Sequence, residues 1–343
     1  MRRILAPSLL VAVLALPATA AAQLPTPPGQ PTPPSNPPAA QPAKAGLGIT
    51  LQGGIKKAGK WFTIRKELVQ VNGHINKAAA GETVRVELWK GKKHRGHRNA
   101  HVNKQGNFKT KLRPKGAGGF KVRALHAKSD KVAKGKSKFV RFRSLKGHAS
   151  VGDGGPGVQL LQRQLSQLGY AVSRSGSYDS ATQRAVLAYR LVNRMSRTTR
   201  ADHTIFERLF RGKGAFKLRY PSAGKHVEAD LSRQVVVLAQ DGKAYRVYHT
   251  SSGKASTPTV TGSYRFYRKD PGYNAEGMYY SSYFIRGYAI HGYHSVPTYN
   301  ASHGCLRVYL SQAVSIYNWI DLGDRIFVYG RGKQPGKTSR PGP

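Results

Sequence analysis

The spacing of apolar residues along this 343-residue chain changes twice, and these two changes limit the folds available to it. Apolar and polar residues alternate in Val84–Trp89 and Phe120–Leu125, and a period of two is typical of half-buried strands. Residues 151–214 carry apolar residues at helical spacing instead, and strand-like runs return from residue 217. The chain is therefore predicted to be multidomain and mainly β, with a helical domain between two domains of strands.

Residues 46–150 are predicted to form a small antiparallel β-sandwich. Short turns rich in Gly, Asn and Lys separate the alternating runs, which are Val84–Trp89, Phe108–Leu112, Phe120–Leu125 and Phe139–Arg143. This arrangement resembles the immunoglobulin-like modules of cell-surface proteins.

Positive charge is concentrated in the same region. The chain has 57 Lys and Arg against 15 Asp and Glu, a formal net charge of +42, and over half of this excess lies between residues 44 and 150. Such a surface favours an anionic polymer as partner, and the alternative is a solvated face that keeps the protein in solution. His94, His97 and His101 lie among these cations, which disfavour a divalent ion, so no metal site is predicted there.

The N-terminus has the parts of a secretory signal. Two arginines precede the apolar run Ile4–Leu16, and small residues follow it. Residues 1–22 are therefore predicted to be a signal peptide that is cleaved after Ala20 or Ala22. An uncleaved membrane anchor is the alternative, but the apolar run is short for a membrane span.

Nine prolines in residues 24–43 predict an extended linker over residues 23–45. Residues 331–343, rich in Gly, Pro and Lys, are predicted to be a disordered tail. Export makes intracellular nucleic acid a poor target for the positive charge. We expect no nucleic acid partner and no transmembrane span in the mature chain.

Three short helices are predicted within residues 151–214. The first helix has an apolar stripe, formed by Val158, Leu161, Leu165 and Leu168, and ends at Gly169. Asp179 or Ser180 is predicted to cap the second helix, and Asp202 the third. The string Gly157–Tyr170, followed by Gly176–Asp179, resembles the peptidoglycan-binding type 1 family. Arg197–Asp202 lacks the glycine-rich turn usual before the third helix, which affects the expected shape of a sugar-binding groove. A spacer bundle that binds nothing is the alternative.

Residues 217–330 return to strands, with one helix at Ser311–Ile320. The strand-like runs are Val235–Leu238, Tyr245–His249, Tyr264–Tyr267, Tyr288–Ile290 and Arg325–Tyr329, and Asp241-Gly242 provides a hairpin turn. Val314, Tyr317 and Trp319 are predicted to give the helix its apolar cover. This region is therefore predicted to be a β-sandwich with one helix.

The chain contains one cysteine, Cys305, which excludes an internal disulfide, a four-cysteine zinc site and a CxxC redox motif. His291, His294 and His303 lie within fifteen residues of it. A thiol is mostly protonated at neutral pH and needs a base or a positive partner to become a nucleophile. Gly304 permits a tight turn that could aim backbone N–H groups at an oxyanion. A zinc site built from these four residues and an inert buried cysteine remain as alternatives.

His291-Gly292 followed by Ala301-Ser-His-Gly-Cys-Leu-Arg307 resembles the signature of YkuD-type L,D-transpeptidase catalytic domains. Ser251–Gly253 and Thr257–Ser263 are similar to the loop and strand that precede it in the family. The resemblance covers about a third of the chain and implies a β-sandwich catalytic domain.

The same resemblance implies roles for the matched residues. Cys305 would be the nucleophile and His291 the general base and acid. The backbone N–H groups of Gly304 and Cys305, with His303 nearby, would form the oxyanion site. Ser302 would make a local hydrogen bond. Arg307 and Gly292 would contact the substrate. Arg307 could instead brace the loop. Tyr293 stands where a small hydroxyl residue is frequent, so a backbone carbonyl is the expected substitute for orienting His291.

Taken together, the resemblances imply an exported enzyme that remodels peptidoglycan. A thioester on Cys305 would carry a donor stem peptide to an acceptor amine and form 3-3 cross-links, with no metal or cofactor. Its partners would be stem peptides and glycan, with anionic wall polymers as a further candidate, at the cell wall, the periplasm or the extracellular face. Water as acceptor would make it an L,D-carboxypeptidase, and a non-enzymatic wall-binding protein is the alternative from another class. If the domains divide this work, removal of residues 44–150 should spare turnover.

Overall fold

The computed structural model describes residues 41–332, and this part of the chain is mainly β, as the sequence predicts. The predicted signal peptide lies outside the described residues, as do most of the predicted linker and most of the predicted tail. A β-sandwich, three helices and a second β-sandwich with one helix follow one another along the described chain. No helix within residues 41–332 is long and apolar enough to cross a bilayer.

The first sandwich contains ten strands. They are β1 (Gly48–Gln52), β2 (Ile55–Lys57), β3 (Lys60–Ile64), β4 (Val69–His74), β5 (Thr83–Lys90), β6 (Lys93–His101), β7 (Asn107–Leu112), β8 (Gly118–His126), β9 (Gly135–Lys136) and β10 (Val140–Leu145). One sheet has the order β1-β4-β7, and the other has the order β2-β3-β10-β8-β5-β6 with β9 paired to β8.

The core of this sandwich lies between its two sheets. In β8 the side chains of Phe120, Val122 and Ala124 are buried, while Lys121 and Arg123 between them are partly exposed. The alternation read from the sequence is thus confirmed in this strand.

The sandwich begins within the predicted linker. Ala43 donates its N–H to the carbonyl of Lys131, and the N–H of Ala133 donates to the carbonyl of Ala43, both at 2.9 Å. Ala45 is buried in the core of the sandwich. The last residues of the stretch 23–45 therefore belong to the folded domain.

His94, His97 and His101 lie on β6, an edge strand whose side chains are almost all exposed. The rings of His94 and His97 stack with their centroids 6.2 Å apart, and His101 lies at the end of the strand.

The helical domain consists of α1 (Pro156–Gln167), α2 (Ser180–Val192) and α3 (His203–Leu209). The predicted caps are confirmed: the Asp179 carboxylate accepts from the N–H of Thr182 at 2.7 Å, and the Asp202 carboxylate accepts from the N–H of Ile205 at 3.1 Å. These bonds satisfy N–H groups at the helix starts that have no partner within the helix.

The C-terminal domain contains nine strands and one helix. They are β11 (His226–Asp230), β12 (Val235–Gln240), β13 (Lys243–His249), β14 (Gly262–Arg265), β15 (Arg268–Tyr273), β16 (Tyr279–Ile285), β17 (Tyr288–Tyr293), β18 (Leu306–Tyr309), α4 (Leu310–Trp319) and β19 (Arg325–Tyr329). The five-stranded sheet has the order β13-β12-β11-β19-β14, and the four-stranded sheet has the order β15-β16-β17-β18.

Strand β12 explains how the helices attach to this domain. Val236 and Leu238 point into the core between the two sheets, whereas Val235 and Val237 point to the other face and join the core of the helical domain. Ile64 of the first sandwich is buried in that same helical core. An antiparallel sheet often has one face in water; here both faces of β12 are covered, which accounts for its uninterrupted apolar run.

The outer edge of β13 is also covered by the helical domain. The N–H of Val247 donates to the carbonyl of Gly169 at 2.8 Å, and the N–H of Ala171 donates to the carbonyl of Val247 at 3.2 Å. Tyr170 thereby forms a parallel bridge with Val247. The segment after α1 extends the five-stranded sheet by one short pairing.

Helix α4 lies where the sequence predicts a helix, but two of the three residues predicted to form its apolar face, Val314 and Tyr317, are not in the core. Ala313 and Ile316 are buried in the core together with Ile320, at helical spacing. Val314 and Tyr317 are only partly buried, whereas Trp319, also partly buried, packs against the same core.

Candidate active site

Two adjacent parallel strands place the lone thiol and its candidate base. In β17 and β18, Ile290 lies beside Leu306 and His291 beside Arg307. Ile290 and Leu306 point into the core of the domain. Because side chains alternate along a strand, His291 and Arg307 leave the opposite face of the sheet, and Cys305 directly precedes β18.

The sulfur of Cys305 contacts the turn between β16 and β17, the start of β17, and the residue that directly precedes β16. The N–H of Ala289 donates to Sγ at 3.4 Å, and the thiol donates to the carbonyl of Gly287 at 3.5 Å. The Sδ atom of Met278 lies 3.9 Å from Sγ. No sequence motif marked these three residues, because they surround the sulfur only through the pairing of strands.

Burial sets the charge state of the two candidate catalytic groups. It raises the pKa of the Cys305 thiol, although the Ala289 N–H and the charge of Arg307 oppose the shift. Burial also lowers the pKa of His291 to about 4, and the hydrogen bond to Gly292 opposes this shift while Arg307 reinforces it. Both shifts disfavour the charged form. At neutral pH the site therefore holds a neutral thiol and a neutral imidazole that can accept a proton.

A backbone carbonyl orients the imidazole. Nδ1 of His291 donates to the carbonyl oxygen of Gly292 at 3.0 Å, which leaves Nε2 as the acceptor nitrogen. A Cβ atom at position 292 would lie 2.8 Å from Cβ of Ala313, so the close packing of α4 requires glycine there. Gly292, predicted to contact substrate, is buried, and the group it offers to the site is this carbonyl.

The loop before β18 is fixed by hydrogen bonds to a second segment. The carbonyl of Ser252 accepts from the N–H groups of Ala301 and Ser302 at 2.9 and 3.0 Å, and Thr259 donates its hydroxyl to the carbonyl of Gly304 at 2.7 Å. The Ser302 hydroxyl donates to the carbonyl of Cys305 at 2.6 Å. These bonds hold the backbone beside the sulfur in one conformation.

Of the two N–H groups expected to bind an oxyanion, one already donates a hydrogen bond within the protein. The N–H of Gly304 donates to the Ser302 hydroxyl at 3.1 Å. The N–H of Cys305 has no hydrogen-bond partner among residues 41–332. His303 is exposed, and its Nε2 lies 3.4 Å from Nζ of Lys254, a positive charge beside the loop that the sequence analysis did not single out.

Arg307 is held by both its backbone and its side chain. Its N–H and carbonyl exchange two 3.0 Å hydrogen bonds with Ser251. Its guanidinium lies 4.1 Å from the centre of the Tyr293 ring. Both contacts favour the bracing role for this arginine over the donor-binding role.

The remaining candidate ligand of a zinc site, His294, is exposed and stacks at a tilt on Tyr293 with ring centres 4.2 Å apart. Within the described part of the chain, no group of three or more His, Cys, Asp or Glu side chains is placed to hold a metal ion.

Comparisons with known proteins agree with the two resemblances. Residues 224–328 match the YkuD family model, described as the L,D-transpeptidase catalytic domain. Residues 154–209 match the PG_binding_1 model, described as "Putative peptidoglycan binding domain". No curated protein matches the chain.

Several solved structures are similar to parts of the chain. An L,D-transpeptidase from Xylanimonas cellulosilytica is 32% identical over 53% of this chain and 97% of its own, with a TM-score of 0.49. An L,D-transpeptidase from Stackebrandtia nassauensis is 21% identical over 54% and 96%, with a TM-score of 0.35. The C442S mutant of an Enterococcus faecium L,D-transpeptidase is 23% identical over 31% and 50%, with a TM-score of 0.28.

Proposed function

Because the chain belongs to the YkuD family of L,D-transpeptidase catalytic domains through residues 224–328, we propose that it is an exported enzyme that remodels peptidoglycan. The observation that carries this proposal is the hydrogen bond to Sγ of Cys305 from the N–H of Ala289, which lies on β17 two residues before His291. His291 is neutral at pH 7 because burial lowers its pKa to about 4. The domain matched by residues 154–209 would hold the same polymer. The site of action would be the cell wall.

In the acylation step, Sγ of Cys305 attacks the carbonyl carbon of the amide that joins the third stem residue to the terminal D-Ala. Nε2 of His291 accepts the thiol proton as the C–S bond forms, and then donates it to the leaving D-Ala amine. The C–N bond breaks, and a thioester remains on Cys305. The Cys305 N–H is the donor available to the oxyanion of the tetrahedral intermediate.

In the second step, the side-chain amine of an acceptor stem attacks the thioester carbonyl, and His291 accepts the amine proton. The C–S bond breaks, the thiolate recovers a proton, and a 3-3 cross-link is released. Water in place of the amine would release a shortened stem, which is the L,D-carboxypeptidase alternative. Analysis of products from a purified tetrapeptide muropeptide by mass spectrometry distinguishes a cross-linked dimer from a tripeptide.

Exposure to a carbapenem tests the proposal, because the resemblance to the YkuD family implies that β-lactams of this class acylate Cys305. We expect the intact mass of the full chain to increase by one carbapenem, since Cys305 is the one cysteine. The Cys305→Ala variant is the control and should gain no mass. An unmodified wild-type chain, or an adduct that persists in Cys305→Ala, would contradict the enzyme assignment and leave a non-enzymatic wall-binding protein.

The backbone conformation and close packing of Gly304 lead to a second prediction. Its φ is +120°, and a Cβ atom there would lie 1.9 Å from Cε1 of Tyr288. Gly304→Ala should therefore shift the loop beside Cys305 and slow carbapenem acylation by roughly 10²-fold, the effect of a displacement of about 1 Å. Gly323→Ala is the matched control, since Gly323 also has positive φ but no atom within 4 Å of the added Cβ. Equal acylation rates in the two variants would refute the role of this packing.

A further inference from the structure

The first sandwich carries a set of cations on the outer side of its larger sheet. Val86, Val122 and Phe142 of this sheet point into the core, so the residues next to them along each strand point outward. Six cations leave the sheet on that side, and we call them the basic face: Arg85 of β5, Lys121 and Arg123 of β8, Lys136 of β9, and Arg141 and Arg143 of β10. The basic face is separate from the domain that contains Cys305.

One carboxylate points to the same side of the sheet, and the groups around it already engage it. Glu87 lies on β5, and its side chain is 8% exposed. It accepts from Nε of Arg123 and from the indole N–H of Trp89, both at 3.0 Å, and Nε of Arg85 lies 3.5 Å from its other oxygen. Within residues 41–332, no ion pair is made by the remaining four cations, which are Lys121, Lys136, Arg141 and Arg143. The basic face therefore keeps a large uncompensated positive charge.

Two cations of the basic face lie directly opposite each other. The register of β8 and β10 pairs Lys121 with Arg141. Like charges in opposite positions destabilise a pair of strands. Cations scattered over the surface would keep the protein in solution without this cost. A negatively charged molecule bound across the two strands would offset the repulsion, and this favours a binding role over a purely solvating one.

Aromatic rings hold two of these cations in place. Nζ of Lys121 lies 4.4 Å from the centre of the Phe139 ring, and the guanidinium of Arg123 lies 5.0 Å from the same centre. The Arg123 guanidinium also lies 5.3 Å from the centre of the Trp89 ring. Such contacts reduce the entropy that the cations lose when a ligand binds. They also cover ring surface on which a nucleic acid base would stack, so the expected ligand carries its charge on a backbone without bases.

Arginine is enriched on the basic face. It provides four of the six cations there, but only eight of the 28 Lys and Arg residues between residues 44 and 150. A guanidinium group presents a planar fork of donors that binds phosphate through two hydrogen bonds, whereas a lysine ammonium acts as a point charge. A groove of about 560 Å³ continues the face at one end, where Arg85, Lys134 and Lys136 line it and no carboxylate does. These features favour an extended ligand with several phosphate groups.

From these features we propose that the basic face binds a phosphodiester polymer of the cell wall, a flexible chain in which phosphate groups join short polyols. The inference rests on the proposed function for the location of the protein, which places such a polymer within its reach. Successive phosphates would contact cations on neighbouring strands, so binding would depend on several charges at once. The first sandwich would thereby retain the enzyme in the wall while the C-terminal domain acts on stem peptides.

Calorimetric titration of the full chain with poly(glycerol phosphate), at several concentrations of sodium chloride, tests the proposal. We expect binding by the wild type and about tenfold weaker binding by the double variant Lys121→Gln/Arg141→Gln. The slope of log K against log salt should become shallower by roughly 1.4 in this variant, which is about 0.7 for each lost phosphate contact. Arg143→Gln, which removes one exposed cation of the same face, should reduce the slope by about 0.7.

The double variant Lys109→Gln/Lys111→Gln is the matched control. It removes the same charge from exposed positions of β7, which belongs to the other sheet of the sandwich. It should change the affinity by less than about twofold, because the two sheets are about 10 Å apart and charges are screened over about 8 Å. Both double variants should keep the wild-type melting temperature, since none of the four replaced side chains forms an ion pair within residues 41–332.

Absence of binding by the wild type would overturn the proposal, and so would equal losses of affinity in the two double variants, which would reflect net charge alone. Tighter binding of single-stranded DNA of equal charge would identify a nucleic acid surface, and equal binding of polygalacturonate a general polyanion surface; either result would overturn it. Carbapenem acylation of the wild type is measured in parallel. An acylated chain that binds no polymer refutes the basic face alone, whereas a chain that binds the polymer but resists acylation refutes the proposed enzyme alone.

Discussion

Replacement of His291 by glutamine should slow acylation of Cys305 at neutral pH by about 10²- to 10⁴-fold, the usual contribution of a positioned general base. Burial raises the pKa of the thiol, so the sulfur remains protonated at pH 7 and needs a base to attack. Glutamine can keep a hydrogen bond to the carbonyl of Gly292 but cannot accept the proton. The measurement is the rate of carbapenem adduct formation by intact-mass spectrometry.

The pH dependence of the acylation rate should also report His291 as the general base. The pKa of His291 is lowered to about 4, so the imidazole is neutral and active above that pH. The wild-type rate should therefore fall only as the pH drops through about 4, rather than near the ordinary histidine value. Above the raised pKa of the thiol, the thiolate forms without help, and the defect of His291→Gln should shrink.

His294→Gln is the matched control for this experiment, because His294 is an exposed histidine of the same segment. It should retain the wild-type rate and pH profile. An equal loss in both variants, or a loss below about tenfold in His291→Gln, would remove His291 from the role of base.

Introduction of a buried charge on β12 should lower the melting temperature of the helical domain and of the C-terminal domain together. Val237 is 0% exposed and lies in the core that these two domains share. Val237→Asp would bury a carboxylate without a partner, which should cost about 4 kcal/mol or more of unfolding free energy. For a unit of this size the melting temperature should fall by roughly 10 °C.

Differential scanning calorimetry measures this effect and counts the transitions. We expect the helical and C-terminal domains to melt in one transition, at a lower temperature in Val237→Asp. Val151→Asp is the matched control, since Val151 is 69% exposed and should change the melting temperature little. A shift confined to one of two separate transitions would show that the shared core does not couple the domains.

The strands and helices with clear periodicity were predictable from the sequence. Phe120–Leu125 alternates because one face of β8 lies in the core, and Asp179 and Asp202 were visible as caps because such residues start helices. Strand β6 was missed because an exposed edge strand of Lys, Arg and His has no apolar alternation to reveal it.

The site was predictable only in part. The motif that contains Cys305 and His291 was visible in the sequence, and strand pairing brings His291 beside Arg307, two residues after Cys305. The engagement of the Gly304 N–H by Ser302, and the contacts of Ala289 and Gly287 with the sulfur, depend on backbone geometry across several segments. No residue pattern encodes such contacts locally.

The sequence predicted domains that work independently of one another, and the structure differs most from this prediction. Removal of residues 44–150 was expected to spare turnover, but Ile64 of that region is buried in the helical core. Gly147 also packs closely on Phe206 of α3, since a Cβ atom added at position 147 would lie 2.8 Å from Cβ of Phe206. Such a deletion would expose apolar surface of the helical domain, so loss of turnover after it would not place the sandwich at the active site.

The pairing of Tyr170 with Val247 has a consequence for self-association. The margin of a β-sheet offers unpaired amide and carbonyl groups to any neighbouring chain, and this is a common route to aggregation. The segment after α1 occupies part of that margin at β13. The folded chain is thereby protected from pairing with its own copies at this edge, and this protection is lost in a fragment that starts after residue 214.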